Sequence, residues 1–566
     1  MSQAPGPFNL GQSLNEALTL QRAGRLREAE RLYARVLKAA PDHFDALNLL
    51  GTVKARLGQM GEAHRLFSAA VKISPGVPQA WANLGQALYA LKRNTDALSS
   101  LDKARALAPG DVDILNHHAN VLLSLERPRE ALAEFHEVLA RVPNHAEARV
   151  NCGIAQAALG SPERAVAEFD QALSIAPGHP VAQYNRSLAL CELGRYTDAI
   201  AAADAVVAMM PQHSGAWLTR GRALAALNRL DEALDSYGRA VALRKDFADA
   251  EFMAALATLT RGDYARGFEK YEWRWRRTGM VPPKGRGRPL WLGEYSLARK
   301  TILLHSEQGL GDTIMFARYV PLLAETAAKV VLEVPEGLKP LLASLKGAAA
   351  VIALGEAPPP YDVHCPLGSL PLAFKTGPAT VPANVPYLAA DEAHVAKWSA
   401  RLGGLGRPRI ALAWSGNPGH LNDRNRSIPF SRLSPVLASP ASFIGIQREL
   451  RGDDAEKLAG ESRVLHVGGE LENFSDTAAV IALCDLVITV DTAVANLAGA
   501  MGRPVWVLIP FAPDWRWTLH GATSPWYPTA RLFRQTVPGD WDGVIGRVGE
   551  ALAQLAHFSG ENAAGR

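Results

Sequence analysis

The chain has 566 residues, of which 48% are hydrophobic and 20% charged, a composition of folded globular protein with room for three or four domains. Lys and Arg number 60 against 56 Asp and Glu, so no basic field argues for a nucleic-acid partner. Cys152, Cys191, Cys365 and Cys484 form no CxxC pair and read as reduced small residues. The start of the chain lacks a basic region leading into an apolar stretch, and no run of 18 uncharged apolar residues follows, so a cytoplasmic protein without a membrane span is expected.

From the N-terminus, six prolines recur every 34 residues, at Pro41, Pro75, Pro109, Pro143, Pro177 and Pro211, each closing an Ala-rich helical segment. This is the tetratricopeptide period. Ala29, Ala63, Ala97, Ala131, Ala165, Ala199 and Ala233 keep the same step and define seven repeats. Four positions later stands a bulky residue in most repeats (Tyr33, Phe67, Leu101, Phe135, Phe169, Tyr237), with Ala203 as the exception. Large is expected to pack on small where Gly51, Gly85, Gly153 and Gly221 mark the close crossing of paired helices. Each pair leaves an apolar face that only a neighbour can cover, which predicts an all-α superhelical array over residues 10–278. Asn83, His117, Asn151 and Asn185 occupy the sixth position of the first helix, which faces the groove in this repeat type. Side-chain amides offer donor and acceptor together and can hold an extended polypeptide through its backbone; Asn is also common there in ordinary repeats.

After the seventh repeat, the segment 261–277 crowds Tyr264, Phe268, Tyr271, Trp273 and Trp275 onto a helical pattern and reads as a capping helix that docks on the next domain. Residues 279–298, rich in Pro and Gly, read as a linker. The strand-like runs TILLHS, KVVLEVP and AAVIALG alternate with helical patterns over 299–389, and RIALAWSG, SFIGIQ, RVLHVGG, LVITVD and PVWVLIP do so over 390–560, with a hinge expected at 386–391. Such alternation predicts two parallel-sheet α/β halves facing each other across a cleft. The first strand runs into Glu307-Gln308-Gly309-Leu310-Gly311-Asp312, a Gly-rich turn opening a helix, and LVITVD runs into Asp491 and Thr492, expected to cap the following helix. Helix N-termini at strand ends favour bound phosphate or carboxylate.

The Gly311-Asp312 turn, the stretch Trp414-Ser415-Gly416-Asn417 with Asp423 to Ser427, and Asp491-Thr492 with its helix resemble sugar-nucleotide-dependent glycosyltransferases of the GT-B arrangement, two facing Rossmann-like domains, close to the heptosyltransferase type. With the repeat arm, the chain also resembles the O-linked N-acetylglucosamine transferases and bacterial protein glycosyltransferases, flagellin-modifying ones included. The resemblance implies an inverting, metal-independent transfer in which Asp312 takes the acceptor proton, with His305 and Glu307 as alternates at the same strand end. It implies that Arg426 contacts the diphosphate of a nucleotide sugar, with Gly311, Ser415, Asn417, Ser427, Gln447, Asp491, Thr492 and Arg516 around the donor. Asn496 stands where the heptosyltransferase pattern carries His, so a hydrogen bond survives there but titration does not. No metal is expected: Asp453-Asp454 lie in a charged segment, Asp111 and Asp113 in a repeat turn, and no His or Cys cluster has ligand spacing. Three readings follow: a protein O-glycosyltransferase acting on Ser or Thr of a polypeptide held by the arm, a transferase acting on a lipid or polysaccharide, and an inactive repeat scaffold.

Overall fold

The computed structural model describes residues 9–280, 287–326, 328–420 and 422–564, with 556–564 as backbone only. The chain divides into two compact units, Met1–Gln212 and His213–Arg566.

The first unit is six helix pairs, from Leu10–Arg22 with Leu26–Ala39 to Pro180–Glu192 with Tyr196–Met209. The small residues Ala29, Ala63, Ala97, Ala131, Ala165 and Ala199 are all fully buried, because each lies where two helices cross most closely. The glycines complete that crossing: a Cβ on Gly51 would sit 2.5 Å from the Phe67 ring, and one on Gly85 2.6 Å from Leu101. Tight turns join the helices of each pair, and their second residue has positive φ in every repeat: Gly24, Gly58, Lys92, Glu126, Gly160 and Gly194. Glycine takes that conformation without steric cost, whereas Lys92 and Glu126 carry a penalty of roughly 1 kcal/mol.

The second unit opens with two further pairs, Ser214–Ala226 with Leu230–Leu243 and Ala248–Thr260 with Tyr264–Tyr271, the last running into a 3₁₀ turn at Glu272–Arg276. The array therefore has sixteen helices among the described residues, and the segment expected as a lone capping helix is the second half of an eighth pair. The boundary between compact units falls at 212, not at the array's end, because the aromatic face of this last pair is built into the α/β core. Tyr264, Phe268 and Tyr271 are buried. Trp526 Nε1 donates to Tyr264 Oη at 3.1 Å, Phe268 meets Trp515 edge-on with centroids 5.5 Å apart, and Asn228 Nδ2 donates to the Phe511 carbonyl at 2.6 Å.

Part of the expected linker lies outside the described residues, at 281–286. Its later part is packed: Leu290 bridges His364, and Trp291 and Leu297 are buried. Two all-parallel sheets follow. The first contains β1 (Thr301–His305), β2 (Lys329–Val334), β3 (Ala348–Ala353) and β4 (Val363–Pro366) in the order β3-β2-β1-β4. The second contains β5 (Arg409–Ala413), β6 (Ser442–Gly445), β7 (Val464–His466), β8 (Leu486–Val490), β9 (Val505–Ile509) and β10 (Ala530–Arg534) in the order β10-β9-β8-β5-β6-β7. Strands β1, β5, β8 and β9 are apolar almost throughout, as strands covered on both faces must be. In each sheet the strand order reverses beside its first strand, between β1 and β4 and between β5 and β8. Crevices at the carboxyl ends of such reversals are where open α/β sheets hold ligands.

Candidate active site

Beyond β1 the chain reaches Glu307, beside the reversal with β4. Its Oε1 accepts from the Gly368 amide at 3.0 Å and from Arg274 at 3.1 Å. Its Oε2 is buried without a hydrogen-bond partner. Arg274 comes from the 3₁₀ turn that ends the helical array, is 1% exposed, and also binds Glu272 at 2.6 Å and Ser369 Oγ at 2.7 Å. Burial pushes the Glu307 carboxyl up to about 7, against the pull of Arg274 and the Gly368 amide. Arg274 also pairs with Glu272, and its pull on Glu307 is outweighed by burial. Gly368 has no alternative here, since a Cβ would lie 2.6 Å from Glu307 Oε1. Glu307, Asp312, Ser306, Thr313 and Gly368 line one narrow hollow, too tight in this structure for a water molecule.

Asp312, in the first turn of the helix Leu310–Phe316, is held at both oxygens. Oδ2 accepts from the Gly309 amide at 3.2 Å and Oδ1 from Arg516 at 2.6 Å. Arg516 follows β9, so this ion pair joins the carboxyl ends of the two sheets. Burial opposes its charge, but Asp514, Asp312 and Asp491 surround it and raise its pKa. Gly311 packs in the same contact: a Cβ there would come within 2.9 Å of Asn496. His305 points elsewhere, buried on β1 with Nε2 3.2 Å from His364 Nδ1.

The second reversal is cationic. Arg426 lies flat on Gly416, where a Cβ would be 2.6 Å from the guanidinium, and donates to the Asp491 carbonyl at 2.9 Å. Ser427 Oγ accepts from the Gly416 amide and donates to Asp423, both at 3.0 Å. Arg451 binds Asp423 and the Gly416 carbonyl and completes the brace. Asp491 is not the helix cap; Thr492 is, accepting from the Val494 amide at 3.3 Å, while Asp491 stays buried at the end of β8. Burial first, and then Asp514, push its carboxyl up, with Arg516 and Arg426 opposing. The Ser415 hydroxyl is buried and unpartnered, and Asn417 is exposed, its Oδ1 accepting from Gly419.

Two expected donor contacts are committed internally. Gln447 Oε1 accepts from the Trp414 and Ser415 amides and its Nε2 donates to the Glu449 carbonyl, so it braces β5 against β6. Asn496 is buried, donating to the Thr492 carbonyl and accepting from Tyr527 Oη at 2.9 Å. Sequence reasoning missed Arg274, Gly368 and Arg451, whose roles arise from segments far apart in the chain. In the array, Asn83 donates to Asn48 at 2.9 Å, Asn151 to Asn120 at 2.8 Å and Asn185 to the Val181 carbonyl at 2.8 Å, while His117 pairs with Gln86 at 3.1 Å. Asn83, His117 and Asn151 thus form rungs between successive repeats, whereas Asn185 bonds within its own helix, and partners such as Gln86 and Asn120, three positions further along their helices, had no signal in the period alone. Among the described residues no His, Cys, Asp or Glu group is arranged to hold a metal, and no helix is long and apolar enough to cross a membrane.

The sequence model of tetratricopeptide repeats matches residues 14–78, 50–112, 117–180, 184–244 and 218–272, so the N-terminal region is a tetratricopeptide array. Protein FlbA of Caulobacter vibrioides is 30% identical over 341 residues, covering 55% of this chain and 56% of that protein, so the chain spans about half the length of this relative. Among solved structures, a tetratricopeptide protein of Parabacteroides merdae is 17% identical, covering 44% of this chain and 98% of its own, with a TM-score of 0.37. MamA of Desulfovibrio magneticus is 26% identical, covering 28% of this chain and 90% of its own, with a TM-score of 0.28.

Proposed function

We propose that the chain is a metal-independent, inverting protein O-glycosyltransferase of the GT-B arrangement. A nucleotide sugar binds at the second sheet's reversal, and the array presents a polypeptide whose Ser or Thr hydroxyl is the acceptor; flagellin is the acceptor class that the resemblance implies. The observation that carries this reading is Arg426, seated on Gly416 and tied to the Asp491 carbonyl beside the N-terminus of the helix Ala493–Ala500. A guanidinium and a helix N-terminus together suit a diphosphate that gains charge as it leaves. Across from it stand carboxylates at the end of β1, one of which receives the acceptor proton; the resemblance points to Asp312. The test is a panel of UDP, GDP, TDP, ADP and CMP sugars, read by thermal shift and by nucleotide release. One donor should stabilise the wild type by about 3 kcal/mol at a hundredfold excess over Kd, and Arg426→Ala should lose that shift.

A second reading, a repeat scaffold without catalysis, is favoured by one observation: Arg516 is already compensated by Asp312 and Asp514. Binding of no donor on the panel decides for the scaffold.

A further inference from the structure

We infer that Glu307, rather than Asp312, receives the acceptor proton, and that the end of the helical array holds it in place through Arg274. This inference rests on the transferase reading. The two carboxylates line one hollow but differ in what they have left to offer. Each oxygen of Asp312 already accepts one hydrogen bond, from the Gly309 amide and from a cation 2.6 Å away, so protonating Asp312 would deprive Arg516 of one of its partner charges. Glu307 spends only Oε1, on Gly368 and Arg274, and its Oε2 is buried and unpartnered. Desolvation pushes its carboxyl up to about 7, close to where a general base is both ionised and basic at neutral pH. Asp312 then keeps a positioning role, fixing Arg516 and with it the contact between the two sheets.

The step balances without a further reactant. The acceptor O–H bond breaks and its proton passes to Glu307 Oε2. The oxygen forms a bond to the anomeric carbon, and the bond from that carbon to the diphosphate breaks, its electron pair leaving with the nucleoside diphosphate. Arg274, donating to Oε1 and to Ser369, anchors the carboxylate through that one oxygen and leaves Oε2 without a partner. The helical array is thereby part of the catalytic apparatus through its last turn.

The experiment uses the full chain and follows nucleotide release from the UDP, GDP, TDP, ADP and CMP sugar panel, with water as acceptor, from pH 5 to 9. For the donor that is turned over, kcat should rise with pH through about 7, as Glu307 ionises. Glu307→Gln should lower kcat about 10²- to 10⁴-fold with KM little changed and should abolish the rising limb. Glu307→Asp should restore part of the rate and the limb. Asp312→Asn should lower the rate and keep the limb. The inference fails if Glu307→Gln retains rate and limb, or if Asp312→Asn removes the limb. Should Glu307→Gln not fold, the limb in Asp312→Asn alone decides, its persistence supporting Glu307 and its loss assigning the proton to Asp312. A wild type that releases nucleotide from no donor overturns the transferase reading and this assignment together, whereas an active Glu307→Gln overturns the assignment alone.

Discussion

The two strand-order reversals of the second unit solve opposite electrostatic problems with the same device. In each, a charged side chain lies against a glycine where a Cβ would press on it: Glu307 on Gly368 beside β1 and β4, Arg426 on Gly416 beside β5 and β8. At the first, the carboxylate is buried, under-compensated and pushed toward neutrality. At the second, the cation is held by Asp423 and a backbone carbonyl next to a helix N-terminus. On the proposed reading, the first end accepts a proton and the second accepts negative charge. A transfer reaction that needs both is served by setting each on its own sheet and joining the sheets through Arg516 and Asp312.

The sharpest way to break this asymmetry is Arg274→Met. It strands Glu272 and Glu307 without their shared cation, and breaking a buried pair by removing one partner costs about 3–5 kcal/mol. Chemical denaturation should show that loss in the transition of the second unit, and it should be smaller at pH 5, where Glu307 is protonated, than at pH 8.

A pH titration of stability separates the two ends without substitution. The folded-state pKa of Glu307 lies above its ordinary value of 4.5, so the folded form binds its proton more tightly than the unfolded one. Its contribution is fully present below about pH 4.5 and is lost as pH rises through about 7, by up to about 3 kcal/mol. Denaturant melts of Glu307→Gln between pH 5 and 8 should lack that part of the wild-type decline; an identical decline in both would place the titrating group elsewhere, Asp491 being the next buried carboxyl pushed up.

Much of this architecture is legible in the sequence, and the unreadable part has a physical cause. The 34-residue period, the buried alanines and the glycine crossings follow from local packing and stand as expected. Eight strands are visible as apolar runs, but β4 and β10 are not, because VHCP is only four residues long with His364 and Pro366 among them, and ARLFR has its apolar residues broken by Arg531 and ended by Arg534. Asp312, Arg426 and Asp491 are marked by their turns and strand ends. What sequence cannot display is competition for a side chain's hydrogen bonds. Gln447 and Asn496 look like ligand contacts until Trp414, Ser415, Thr492 and Tyr527 are seen to occupy them. Arg274 looks like one charge in an aromatic cap until Glu307, 33 residues on, is found beside it.

The paired glycines give the finest test. Gly368→Ala forces a Cβ against Glu307 Oε1 and within 3.5 Å of Arg274, two side chains with no space to retreat, so overpacking should cost about 1–3 kcal/mol of stability. A drop in melting temperature with unchanged donor affinity is the expected pattern.

Gly416→Ala should do the reverse, with the smallest effect on the fold. The added Cβ meets only the end of the Arg426 side chain, which can swing aside at a cost below about 1 kcal/mol. Moving the guanidinium pulls it off the Asp491 carbonyl and away from the helix N-terminus, so affinity for the donor that stabilises the wild type should fall about fivefold to tenfold, roughly 1 kcal/mol of a charge-assisted contact. Isothermal titration of wild type and variant measures it directly. Unchanged affinity in a folded Gly416→Ala protein would mean that Arg426 braces the β5 loop rather than meeting the ligand, and the second reversal would then lose its claim to be the anion-binding end.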